Sequence, residues 1–330
     1  MPDLPSVIDG IAVPNPADIA ALRETLRPYT RVTPLLARDD IAPLVGTTLE
    51  FKFELLQASG TFKARGAFSN MLALDAAQKA RGVTGISAGN HAVAVAYAAM
   101  KLGISAKVVM LKTANPARLA MAKACGAEVL MAEDGPTGFA MVREIEAQEG
   151  RYFVHPFNGL RTVMGTATLG AEWAGQSGGL DALILPIGGG GLAAGVALAF
   201  RQAMPEIAIY GVEPEGATGM AQSFARGGPG PSGAMQGIAD SLMAPHTEAF
   251  SYGICRATID GLVTVSDSEL RSAMRVLFAE LKLATEPACA AATAAAMFPL
   301  RERIAGKRVG VLLCGANTDM PTFARHMAEG

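Results

Sequence analysis

Residues 182–203 read ALILPIGGGGLAAGVALAFRQA, and the fold is decided in this stretch. Six residues without a charge, five of them aliphatic, suit a strand buried on both faces, as in a parallel sheet. Gly188, Gly189, Gly190 and Gly191 follow, and then an Ala/Leu-rich run of helical character. Four glycines take every Cβ out of the turn, so backbone N–H groups can close on an anion. The helix adds its unpaired N-terminal N–H groups and the positive end of its dipole. A flexible loop or a close strand–helix contact is the plainer alternative. The strand–loop–helix setting is the one that an anion site requires.

The same alternation extends on both sides. VTGIS (83–87), AKVVML (106–111), EVLMA (128–132), IAIYGVE (207–213), LVTVS (262–266) and RVGVLLC (308–314) are short apolar runs separated by helical stretches. TLEFKFEL (48–55) reads as a further strand. The predicted class is α/β, with mostly parallel sheets flanked by helices. Pro116 at a helix start and Gly126 just past its end fit the usual asymmetry. RGGPGPSGA (226–234) reads as a surface loop. No repeat, charge run or dividing linker occurs.

Composition sets limits. The 330 residues are half hydrophobic with 37 Gly, which suits about two lobes. The formal charge of −2 implies no nucleic-acid or anionic-membrane partner. Cys125, Cys255, Cys289 and Cys314 are scattered, without a CxxC pair, and read as reduced thiols of a cytoplasmic protein. The segment MPDLPSVIDGIAVP has neither a basic start nor a long apolar run, so no signal peptide is expected. No apolar run approaches the ~18 residues of a membrane span.

SGTFKARG (59–66) carries the reactive candidate, Lys63, beside Phe62. A lysine held at the bottom of a cleft loses charge on burial, and its free amine becomes a nucleophile toward carbonyls. Taken alone, a lysine is more often a solvated helix residue. The anion loop is what lifts Lys63 above that reading.

With RVTPL (31–35), SAGNHA (87–92), GVEP (211–214), TEPACA (285–290) and CGANTD (314–319), these segments form an ordered set spanning about 290 residues. The chain thereby resembles the fold-type II pyridoxal-phosphate enzymes of the threonine/serine dehydratase and serine racemase group. The resemblance implies two lobes, each with a mostly parallel twisted sheet, and pyridoxal 5′-phosphate in the cleft between them. Residues 73–163 would be a small domain inserted into a large one formed by 1–72 and 164–330. The chain ends soon after CGANTD, so no C-terminal regulatory domain, and no feedback by isoleucine, is expected. A homodimer or homotetramer is implied.

The resemblance also distributes roles. Lys63 would carry the cofactor and act as the base at the substrate Cα. Phe62 would pack on the ring. Gly188, Gly189, Gly190, Gly191 and Leu192 would cradle the phosphate, which would itself protonate the leaving hydroxide. Asn90 would bond the ring's phenolic oxygen, and Cys314 would face the pyridine nitrogen as a neutral partner. Ser87, Gly89, Asn90 and His91 would receive the substrate carboxylate. Ala88 stands where serine racemases carry a Ser that acts on the opposite face of Cα, so dehydration is expected over racemisation. Glu213 matches the first carboxylate of a cation site in some relatives, but Gly219 stands near where the second would fall, and no metal is expected. VMGT (163–166) and Cys289 also depart from the family's pattern.

The activity implied is dehydration and deamination of a β-hydroxy amino acid to a 2-keto acid and ammonia. L-Threonine or L-serine is the first expectation, 3-hydroxyaspartate or 3-phenylserine the alternative, and serine racemisation a second. Other classes make weaker claims. GISAG (85–89) satisfies a hydrolase elbow at Ser87, with His155, His246 or His326 as partner, but leaves Lys63 unexplained. Gly188, Gly190 and Ala193, with Glu213 ending the next strand, satisfy a dinucleotide fingerprint of an oxidoreductase. A non-catalytic scaffold would make Lys63 and the anion loop accidents.

Overall fold

Three of the apolar runs become strands with the expected bounds: Val83–Ser87, Ala106–Leu111 and Glu128–Ala132. The structure is a computed structural model and describes residues 4–329. Residues 1–3 and 330, which the expected large domain and the N-terminal segment without a leader include, lie outside the described residues.

Two parallel sheets organise the chain. Six strands run in the order Gly261–Val265, Ala208–Pro214, Ala182–Pro186, Arg308–Leu312, Thr48–Lys52 and Leu35–Arg38. All pairs are parallel except the last. Four strands run Glu128–Ala132, Ala106–Leu111, Val83–Ser87 and Tyr152–Phe153, all parallel. Ala182–Pro186 lies inside the larger sheet and is buried at every residue, as its charge-free sequence requires. The helix Gly191–Ala203 packs along Leu160–Gln176, and the apolar core fills the space between sheet and helices. Among the described residues no helix is long and apolar enough to cross a membrane.

The strand expected over 48–55 stops at Lys52, and Glu54–Leu56 forms a 3₁₀ turn instead. Charge explains the stop. Lys52 Nζ lies 2.6 Å from Glu172 Oε1, Arg65 Nε lies 2.5 Å from Glu54 Oε2, and Arg65 Nη2 lies 3.0 Å from Glu172 Oε2. All four groups are buried. Glu54 leaves the strand direction to meet Arg65, which stands two residues after Lys63 on the helix Lys63–Leu72. A buried charge is tolerated only when paired and hydrogen-bonded in this way. The network therefore anchors the first turn of the helix that carries Lys63.

Candidate active site

The carboxyl ends of both sheets open onto one cavity of about 410 Å³. Phe62, Lys63, Ser87, Gly89, Asn90, His91, Gly188, Gly189, Gly190, Gly191, Leu192 and Cys314, the residues singled out from sequence, all line it. Each sits where a strand gives way to a loop or a helix start, which is where open α/β sheets place ligands.

Lys63 Nζ donates to the carbonyl of Pro156 at 2.5 Å and stands 5.1 Å from the Phe62 ring centre. Burial lowers its pKa from 10.5 to about 8. Ser59, four residues earlier, holds a left-handed backbone at φ +63°, a strained setting of the kind that gathers at functional sites.

The glycine turn is shaped by its neighbours as well as by its own freedom. Gly190 has φ +93°. A Cβ on Gly189 would stand 2.2 Å from the Phe157 ring. Phe157 thus occupies the space that a side chain would take, and the backbone is left as the surface facing the cavity. The helix Gly191–Ala203 starts here, and its first N–H groups have no intrahelical acceptor.

Ser87, Gly89 and His91 are arranged differently from a simple row of donors. The Ser87 hydroxyl oxygen accepts from Gly89 N at 2.8 Å and from His91 N at 3.2 Å. The hydroxyl hydrogen of Ser87 remains the donor on that side. His91 Nε2 donates to the carbonyl of Val154 at 2.7 Å. Burial, and then the nearby Lys63, push His91 down to about 3, so it is neutral. Asn90 is engaged at both ends: Nδ2 donates to Glu286 Oε1 at 2.7 Å, and Oδ1 accepts from Asn317 Nδ2 at 2.9 Å. Cys314 Sγ points to the carbonyl of Ala288 at 3.8 Å. A hydrogen bond with Cys289, together with burial, raises the Cys314 thiol well above its ordinary range, so it is protonated.

Several residues of the site carry no signal in sequence. Arg118, from the helix Pro116–Ala124, donates to Asp240 Oδ2 at 2.6 Å, to Glu286 Oε2 at 3.1 Å and to the carbonyl of Asn317 at 2.7 Å. Only Glu286 could have been noticed, inside TEPACA. His155, His246 and Glu248 bring ligand-type atoms within 4.8 Å of one another. His155 Nδ1, however, accepts from Phe157 N and Asn158 N. Its proton is therefore on Nε2, which lies 3.8 Å from Glu248 Oε1 and is not free to ligate a cation.

The other readings of the motifs can be placed too. Glu213 accepts from Met220 N through Oε1 and from Ala221 N through Oε2. Both oxygens are engaged by the first N–H groups of the helix Gly219–Arg226. Among the described residues no histidine ring bonds Ser87.

The donor set fits pyridoxal phosphate. A depressed-pKa amine suits its aldehyde, a glycine turn at a helix start suits its phosphate, and a protonated thiol suits an uncharged ring nitrogen. The comparisons with known proteins agree. The family model described as pyridoxal-phosphate dependent enzyme matches residues 26–315. Over 323 residues the chain is 62% identical to a phenylserine dehydratase of Ralstonia pickettii, covering 98% of this chain and 99% of that one. It is 35% identical over 312 residues to a beta-hydroxyaspartate dehydratase of Paracoccus denitrificans, covering 93% and 98%. The structure of maize serine racemase superposes with a TM-score of 0.88 at 32% identity, covering 94% and 95%. With the lysine, the glycine turn and the thiol lining one cavity, this chain belongs to the pyridoxal-phosphate-dependent enzyme family.

Proposed function

We propose that the chain is an ammonia-lyase for β-hydroxy amino acids with an aryl side chain, 3-phenylserine being the type substrate. The observation that carries this reading is the charge of the cavity wall. Among the described residues Lys63 is its one cation, whereas Glu133, Asp134, Asp240 and Glu286 also line it. The buried Arg118 guanidinium, whose partners Asp240 and Glu286 line the cavity, is already paired with both. A distal carboxylate, as in 3-hydroxyaspartate, would find no partner there. The apolar part of the lining, with Leu111, Phe139, Met243 and Pro245, offers contact that the hydrogen or methyl group of serine or threonine is too small to use fully. An uncharged aromatic side chain suits both facts, and the similarity to a phenylserine dehydratase supports it.

In this reading, pyridoxal phosphate bound at Lys63 supplies the electron sink. The protein supplies position and proton transfer. Ser87 and the start of the helix Asn90–Leu102 hold the substrate carboxylate. The Lys63 amine takes the Cα proton. The β-hydroxyl leaves with the C–O bonding pair and departs as water, with the proton that the bound cofactor's phosphate would supply. The enamine that is released tautomerises and hydrolyses to a 2-keto acid and ammonia. Ala88 offers no acid or base on the opposite face, so the proton is not returned there and elimination outruns racemisation.

Sheet membership supports the inserted arrangement, because the four-stranded sheet lies within 73–163. Exposed Val32, Leu36, Leu44 and Leu56 support a dimer or tetramer, and four free thiols support a cytoplasmic setting. The test is ammonia release from the yellow enzyme with 3-phenylserine, L-threonine, L- and D-serine and 3-hydroxyaspartate. Release from phenylserine well above the others is expected. Preference for threonine or hydroxyaspartate would overturn the aryl reading.

A further inference from the structure

The side chain of the substrate must leave the reacting centre through the part of the wall that the chemistry does not use. Lys63, the 87–91 turn, the 188–192 loop and Cys314 are the part of the lining that the chemistry uses. Two further segments of the lining are apolar. Leu111, Pro136 and Phe139 come from the smaller sheet and its helix Gly135–Glu149, and Met243, Ala244 and Pro245 come from the loop after Asp240–Leu242. All six are apolar. The two segments meet at the rim, where a Cβ on Gly135 would stand 3.5 Å from Pro245 Cγ.

Phe139 is braced from behind. Its ring centre lies 4.9 Å from His246, 6.0 Å from His155, 6.2 Å from Phe153 and 6.5 Å from Phe157. A ring so packed presents a fixed flat wall, and aromatic pairs favour offset or edge contacts at such separations. The acids of this region are already engaged. Asp134 Oδ1 accepts from Thr137 N at 2.8 Å, and Glu133 pairs with Lys112. Asp134 keeps its negative charge and Glu133 is neutralised by Lys112, so the slot offers a substrate carboxylate no cation.

We propose that Leu111, Pro136, Phe139, Met243, Ala244 and Pro245 form an aryl subsite, with Phe139 as the wall that selects a flat ring over a methyl group or a carboxylate. The inference rests on the aryl ammonia-lyase reading and goes beyond it by naming the residues that set the selectivity.

The experiment compares kcat/KM for 3-phenylserine and L-threonine in the loaded wild type, Phe139→Ala and Ala244→Phe. Binding of L-phenylalanine, which has the ring but no leaving group, is measured alongside by calorimetry. Phe139→Ala should lower the phenylserine-to-threonine ratio about tenfold or more, the scale on which apolar pockets discriminate. Ala244→Phe fills the slot instead of emptying it. It should weaken phenylserine turnover and L-phenylalanine binding about tenfold while threonine stays within about threefold. Met243→Arg should raise turnover of 3-hydroxyaspartate relative to wild type. Ratios within twofold of wild type in both Phe139→Ala and Ala244→Phe would overturn the subsite while leaving the aryl reading intact. A wild type inert toward phenylserine and active on threonine would overturn both. Should Phe139→Ala fail to fold, Ala244→Phe and the calorimetry decide alone.

Discussion

Arg118 Nη1 lies 2.6 Å from Asp240 Oδ2, joining a helix of the smaller sheet to the loop beside the larger one. The same guanidinium reaches Glu286, which in turn holds the Asn90 amide. One buried cation thus neutralises two carboxylates and aligns a residue of the cavity wall across the cleft. Arg118→Ala leaves both carboxylates without their partner, an arrangement that costs about 3–5 kcal/mol. A lower melting temperature is expected, with kcat/KM for phenylserine reduced by an order of magnitude or more. Arg118→Lys should recover part of the stability, because a point charge cannot serve three acceptors in a fork. A melt and a KM-against-kcat comparison on the three proteins decide this. Unchanged values in Arg118→Ala would show that the bridge contributes nothing.

Lys63→Ala should fold as wild type does and lose both the yellow chromophore and turnover, by a factor of about 10² to 10⁴ for the proton transfer alone. Borohydride reduction of wild type followed by peptide mapping should place the label on Lys63. Turnover retained by the variant would remove Lys63 from the mechanism.

Ala88→Ser puts a hydroxyl on the cavity lining where, by the resemblance to serine racemases, a Ser would act on the face of Cα opposite Lys63. The ratio of serine racemisation to keto-acid formation should rise, read by chiral chromatography beside ammonia release. An unchanged ratio would mean that a hydroxyl there cannot move the proton.

Two pH dependences follow from burial. With its pKa near 8, Lys63 is protonated below that value and cannot add to an aldehyde. Uptake of pyridoxal phosphate by the cofactor-free protein should therefore accelerate about tenfold per pH unit up to about 8 and level off above it. A rate still climbing at pH 10 would mean a solvated amine.

His91 and His155 act on stability instead. Burial is the main cause that holds each near 3 in the folded chain, against 6.5 when unfolded. Between those values the unfolded chain binds protons that the folded chain refuses. The stability they contribute is fully present above pH 6.5 and is lost as pH falls toward 3. Melting temperature should drop across that window, and His91→Gln should flatten part of the drop.

Chelation should leave turnover unchanged. Both Glu213 oxygens accept backbone N–H groups, and Gly219 brings no second carboxylate. Loss of activity in EDTA with recovery in Mg²⁺ would contradict this assignment.

The strands were legible because a charge-free apolar run between turns has few other outcomes, as Ala182–Pro186 illustrates. Lys63 and the glycine turn were legible because each is a local motif whose chemistry is complete within about eight residues. Arg118 was not. Its partners lie 122 and 168 residues away, and in its own helix it reads as an exposed basic residue. Phe139 and Met243 were equally silent, since each looks like ordinary core until the fold sets them across one slot. Ser87 was found but its geometry was not: only the folded turn shows its oxygen accepting two N–H groups. The strand end at Lys52 was missed for a related reason, because Glu172, which Lys52 meets there, comes from 120 residues downstream.

The four-charge cluster of Lys52, Glu54, Arg65 and Glu172 has a bearing on the conditions in which the enzyme can work. Mobile ions weaken attraction between charges that water separates, and none of these four is in contact with water. Brine that dissolves surface pairs such as Lys107–Glu149 has no access to the mooring of the reactive lysine. Alignment of that amine is thereby insulated from ionic strength, and a change of salt leaves the catalyst in tune.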